Sequence, residues 1–322
     1  MFSFVLNSII DVISRASSSN SLSVLTYHRV GESYNQLFMD EVLFEQQLIW
    51  MKRYFNPIGL AEGIKLQQQG KLPNRAVAIT IDDGYVDSFT TIFPLLQKHK
   101  LTATFFISTS GLTKGYLWDE LICSAILQLP INMKELHFEG NRFSLTTYNQ
   151  RLNALKEIIN KIKYSSLVER ERLIQQLMLQ TGLPELPSQF LDEKQIISLY
   201  QSGMEIGAHT VNHPILSCEN ITIAKQEILE SKQQLEKIIQ APVNFLAYPN
   251  GKKNIDFDQS HENLAKECGF EAAFSTDWGS INASNNNHFS LQRFTPWDST
   301  EGKFSLRLAL NGNKRFKRLF IK

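Results

Sequence analysis

The stretch Ala76-Val77-Ala78-Ile79-Thr80-Ile81-Asp82-Asp83-Gly84 decides the fold. Its first part is apolar at nearly every position, with no helical spacing. That is the pattern of a strand buried on both faces. It stops on two carboxylates and a glycine. Working outward, the same order of apolar run and polar stop recurs. Leu22–Tyr27 runs into His28, Met204–His209 ends on an imidazole, and Val243–Tyr248 runs into Pro249-Asn250-Gly251. Ala103–Ile107 and Ala272–Ser275 read as further strands. Helical spacing marks Phe44–Tyr54, Phe89–His99, Gln195–Gln201, Ile221–Gln240 and Glu262–Cys268, the last closed by Gly269. Strands alternating with helices predict a parallel sheet with crossover helices. Polar residues just past the strand C-termini predict a site on that edge. Between Tyr116 and Phe190 the pattern is mostly helical, with a small hairpin at Phe138–Leu145.

Composition narrows the function. The 322 residues are 43% hydrophobic, enough for one large α/β core. Basic and acidic residues number 33 and 32, so nucleic acid is not an expected partner. Cys123, Cys218 and Cys268 stand far apart without a CxxC pair, which argues against a disulfide framework or a thiolate zinc site. Residues 1–20 form an amphipathic segment that lacks the basic start of a secretory signal. The tail, 313–322, is basic and apolar together. The expected location is cytoplasmic, with the tail suited to peripheral contact at the inner membrane face.

Two constellations carry chemistry. Asp82 and Asp83 cannot both be buried at a strand end without a metal, a shared proton or a cation to offset them. Alone, Asp-Asp-Gly is also the composition of a solvated turn. The second constellation, His209-Thr210-Val211-Asn212-His213-Pro214, places two imidazoles close together in a chain with only seven histidines. One carboxylate and two imidazoles form a facial triad with open positions for water and substrate. That donor set suits Zn²⁺, and also Fe²⁺, Co²⁺, Ni²⁺ or Mn²⁺. The second carboxylate is then free to act as a base.

At this point the chain resembles the polysaccharide deacetylases with the NodB homology fold, carbohydrate esterase family 4. Thr80-Ile81-Asp82-Asp83-Gly84 resembles that family's first motif, and His209–Pro214 its second. Phe245–Gly251 is similar to the third region in the branch that reads F-x-Y-P-x-G, and Ala103-Thr104-Phe105-Phe106 to the usual A-T-F-F strand. Leu25-Thr26-Tyr27-His28-Arg29-Val30 resembles the YHxV opening of that branch. The resemblance implies a distorted (β/α) barrel over 21–312, with a helical insertion at about 117–190. It also implies one divalent metal ion held by Asp83, His209 and His213, with Asp82 as general base and the Tyr248 backbone N–H at the oxyanion. The implied reaction removes N-acetyl groups from N-acetylhexosamine in a polysaccharide or its lipid-linked precursor. The implied partner is an N-acetylated glycan or glycolipid.

The chain departs from the family pattern in three places. No Arg precedes Pro249, so Arg293 is the candidate to charge-pair with Asp82 from another strand. No late L-x-H motif supplies an acid, and His28, after the first strand, is the best placed substitute, as acid or substrate contact. The interval between Asp83 and His209 is much longer than in compact members. Thr276-Asp277-Trp278-Gly279 echoes the fourth motif, which makes Asp277 and Trp278 candidate substrate contacts. A deformylase or other amidohydrolase on a sugar-lipid would use the same residues. A catalytically inactive glycan-binding relative would not need a base beside a metal. A glycosidase is disfavoured, because its two carboxyls should flank the bond about 5–9 Å apart.

Overall fold

The computed structural model describes residues 20–31, 38–182, 186–282 and 287–311. Residues 1–19 of the N-terminal amphipathic segment and the basic tail lie outside them, as do 283–286 of the Asn-rich loop. Among the described residues, no helix is long and apolar enough to cross a membrane.

Among the described residues, seven parallel strands carry the fold: β1 (Leu22–Tyr27), β2 (Ala76–Ile81), β3 (Thr104–Ile107), β4 (Glu205–Ala208), β5 (Phe245–Ala247), β6 (Ala272–Trp278) and β7 (Leu291–Arg293). They lie side by side in chain order, and Asn56–Pro57 adds a short pairing beside the start of β2. The sheet nearly closes on itself. Phe294, directly after β7, donates its N–H to Val24 O at 2.7 Å and accepts from Thr26 N at 3.0 Å. This is the distorted (β/α) barrel expected from the sequence.

Period-two alternation sorts the strand residues into two cores. Leu22, Val24, Ala78, Phe106, Phe245 and Phe274 meet inside the barrel. The alternate residues Leu25, Ile79, Phe105 and Leu246 pack into a larger core with the helices. The same alternation carries Thr80 and Asp82 onto the inner line of β2. Gly207 is required by this packing, because a Cβ there would stand 2.4 Å from the Phe106 ring.

The helices are α1 (Glu41–Tyr54), α2 (Leu60–Gln68), α3 (Phe93–His99), α4 (Ser110–Lys114), α5 (Trp118–Leu127), α6 (Tyr148–Lys163), α7 (Leu167–Thr181), α8 (Glu193–Gln201), α9 (Ile221–Ile239), α10 (Gln259–Glu267) and α11 (Glu301–Leu310). Helices α5 to α7, with a hairpin of Glu135–Phe138 and Asn141–Ser144, fill the interval expected from the sequence as the helical insertion. It has a core of its own, built from Ile122, Ile126, Phe138, Ile158 and Leu177 among others. Its first helix is tied to the barrel through Arg29. That guanidinium reaches Glu120 at 2.8 Å, Asp87 at 3.0 Å and Gln189 at 3.1 Å.

Candidate metal centre and catalytic site

The rim at the strand C-termini collects the chemistry. His28 follows β1, Asp82 and Asp83 follow β2, His209 follows β4, and Arg293 ends β7. Asp82 N–H donates to Tyr27 O at 2.9 Å, and His209 N–H to Ile107 O at 3.1 Å, so each residue continues the ladder of its neighbour strand. Past these bonds the backbone turns sharply. Asp83, Thr210 and His213 have φ of +79°, +66° and +52°. Side chains other than glycine rarely adopt this region, and each such residue costs about 1–3 kcal/mol. Among the described residues, three of the ten non-glycine positions with positive φ lie in the two loops that carry the proposed ligands.

Those ligands converge. Asp83 Oδ1 lies 3.4 Å from His209 Nε2 and 3.4 Å from His213 Nε2. All three ligand atoms fall within 4.8 Å of one another. Atoms bonded tetrahedrally to one ion at about 2.0–2.1 Å stand roughly 3.4 Å apart, so the carboxylate-to-imidazole spacings fit a single ion. The tautomer fits as well. His209 Nδ1 lies 2.7 Å from Ala247 O, and a carbonyl can only accept, so Nδ1 carries the proton and Nε2 offers a lone pair. His213 is held neutral: burial, with the adjacent His209, pushes it down to about 3. Burial works against ionising Asp83, but its bond to His209 and the surrounding imidazoles outweigh that and hold it well below the usual carboxylate range. Burial also opposes charge on His209, yet Asp83 and Asp82 raise it. The pair of carboxylates thus draws positive charge to this point.

Asp82, only 1% exposed, is held differently. Arg293 grips it with a two-pronged bond, Nη1 to Oδ1 at 2.7 Å and Nη2 to Oδ2 at 2.8 Å. The guanidinium is itself buried, and it also donates to Thr80 Oγ1 at 3.2 Å and Ser275 O at 3.0 Å. Burial pushes the Asp82 carboxyl up, but Arg293 and the nearby imidazoles outweigh it and leave it below its ordinary range. His28 Nε2 stands 4.0 Å from Asp82 Oδ2. The cation absent before Pro249 is therefore supplied from β7.

The oxyanion assignment needs correction. The Tyr248 N–H donates to Phe274 O at 3.1 Å, a rung of the ladder between β5 and β6. It is spent on the sheet. Pro249 has no N–H, and Gly251 donates to Pro249 O. Lys252 and Lys253 donate their N–H groups to the Asp256 and Asp277 carboxylates, and among the described residues Asn250 N–H has no backbone acceptor. Trp278 is half-buried beside Arg293 in register, with its ring 6.0 Å from that of Phe294. Asp277 accepts from Lys253 N at 3.2 Å.

Three site residues escaped the sequence reading. Glu227 of α9 accepts from the N–H groups of Val211 and Asn212. Arg170 of α7 donates to the carbonyls of Asn212 and His213. Asp119 of α5 carries a buried Oδ1 without a hydrogen-bond partner. Burial, with the charge of Asp83, pushes the Asp119 carboxyl up to about 7. The only signal in the sequence was the polar opening Trp118-Asp119-Glu120 of the insertion.

Comparisons with known proteins find polysaccharide deacetylases. YxkH of Bacillus subtilis is 24% identical over 193 residues, 59% of this chain and 64% of that protein. Poly-beta-1,6-N-acetyl-D-glucosamine N-deacetylase of Staphylococcus aureus is 29% identical over 137 residues, covering 38% of this chain and 46% of that one. The chain thus spans less than two thirds of the length of these relatives. Among solved structures, the deacetylase PplD of Streptococcus pyogenes, in complex with acetate, superposes with a TM-score of 0.61 at 19% identity, covering 90% of this chain and 98% of the other. That likeness shows the fold. The polysaccharide deacetylase family model matches residues 69–273, which take in β2, the insertion and both ligand loops, and the chain belongs to that family.

Proposed function

We propose that the chain hydrolyses N-acetyl groups from N-acetylhexosamine units of a glycan, using one divalent metal ion held by Asp83, His209 and His213. The observation that carries this reading is the juxtaposition of that triad with Asp82, a buried carboxylate gripped by Arg293. When bound, the ion polarises the acetyl carbonyl and makes water acidic enough to attack at neutral pH. Asp82 takes the proton from the attacking water. Arg293 holds the carboxylate in one orientation and keeps it ionised. Asn250 N–H is the candidate donor to the developing oxyanion. The amine leaves only once protonated, and His28 or the protonated Asp82 supplies that proton. The N-deacetylase named among the relatives, with the acetate-bound structural neighbour, supports acetyl as the acyl group and a poly-N-acetylglucosamine as the substrate class.

The test is release of acetate from N-acetylglucosamine oligomers by the Zn²⁺-, Co²⁺- or Ni²⁺-loaded protein, run beside N-formyl analogues. Faster turnover of the acetyl series is expected. Turnover confined to the formyl series would replace this reading with a deformylase.

A further inference from the structure

The insertion is more than a module appended to the barrel, because one of its side chains reaches the loop that carries His213. Four consecutive carbonyls of that loop are taken by donors from two other parts of the protein. Thr210 O accepts from Thr109 N at 3.2 Å, and Val211 O from Ser110 N at 2.9 Å, both beside β3. Asn212 O accepts from Arg170 Nη2 at 2.6 Å, and His213 O from Arg170 Nη1 at 3.1 Å. From the other side, the Glu227 carboxylate takes Val211 N–H at 3.0 Å, Asn212 N–H at 2.7 Å and Asn212 Nδ2 at 2.7 Å. Pro214, which follows, offers no N–H.

This clamp holds a backbone that would not rest there unaided. Thr210 and His213 both sit at positive φ. Buried carbonyls without donors are costly, so the bonds to Asn212 O and His213 O favour the strained conformation over its relaxed alternatives. Arg170 is only 6% exposed, and its guanidinium lies 5.1 Å over the Trp118 ring at the start of α5. Both helices that frame the insertion thus help to place it. A planar fork of donors suits two adjacent carbonyls, which the single ammonium of a lysine cannot match.

We propose that Arg170 is a positioning residue of the metal centre, through which the insertion fixes His213 toward Asp83 and so sets the affinity for the ion. This rests on the metal reading given above. Loss of a group that orients a ligand weakens metal binding by about 10–100-fold in comparable sites. The same figure is expected here for Arg170→Met, with a smaller loss for Arg170→Lys.

The experiment measures Co²⁺ and Zn²⁺ affinity of the full chain by chelator competition, together with the visible absorption of the Co²⁺ form. Wild type, Arg170→Met, Arg170→Lys and Glu219→Ala are compared. Glu219 accepts from Leu167 N at 2.5 Å and so anchors the same helix, and its charge acts on Arg170 without replacing either of the bonds from Arg170 to the ligand loop. A merely structural Arg170 would lower the melting temperature, as Glu219→Ala should, and leave affinity and spectrum alone. The expected result is weaker binding and an altered Co²⁺ spectrum in the Arg170 variants only. If Arg170→Met does not fold, Arg170→Lys decides. Wild-type affinity in the folded Arg170 variants overturns the positioning role. A wild-type chain that takes up no ion overturns the metal reading itself, and with it this proposal.

Discussion

Replacing Asp82 with Asn should lower kcat for deacetylation by about 10²–10⁴-fold, the usual share of a general base, while metal affinity stays within a few-fold of wild type. The reason lies in the division of labour between the paired carboxylates. Asp83 faces the two imidazoles, and Asp82 faces Arg293 and His28. An amide at 82 keeps the shape but cannot accept a proton from water. Its NH2 would also confront a guanidinium that has only donors, so one of the two bonds from Arg293 is lost. Single-turnover acetate release and chelator competition on the same preparation separate the two effects. Retained turnover would show that another group is the base, while a loss of metal would move Asp82 into the ligand set.

Arg293→Met should destabilise the protein by about 3–5 kcal/mol, the usual cost of stranding a buried charge. Arg293 and Asp82 are each only 1% exposed, so solvent cannot take over the pairing. The variant also strips a donor from Thr80 Oγ1 and another from Ser275 O. Denaturant unfolding of the chelator-treated protein gives the figure. The mechanism makes a further demand on the double variant Asp82→Asn/Arg293→Met. It should be more stable than Arg293→Met, because a neutral amide leaves no charge stranded. A single-variant loss below about 1 kcal/mol would mean that water reaches Asp82.

The sequence disclosed the parts whose signal is local. Apolar runs that stop on polar residues mark the strands, and those stops are the rim. Asp82, Asp83, His209 and His213 were legible because both motifs sit at strand ends, and Arg293 was legible from the need for a cation. Helix α2 was not read, because Gly63 interrupts its stripe. The residue is there for packing: a Cβ at 63 would lie 2.9 Å from Leu22. Tyr248 was misread because its N–H partner, Phe274 O, lies on the next strand, and register cannot be seen in one chain's pattern. Arg170 and Glu227 were illegible for a related reason. Each is a charged residue on an amphipathic helix, and only the tertiary fold brings its head group to the His209–His213 loop.

The most direct test of the central claim is a metal titration of the chelator-stripped chain, with acetate release from N-acetylglucosamine oligomers recorded at each addition. Turnover should be negligible without metal and rise to saturation at one ion per chain. His209→Ala should show neither the binding nor the rise. Full turnover by the stripped protein, or an undiminished rise in His209→Ala, would contradict it.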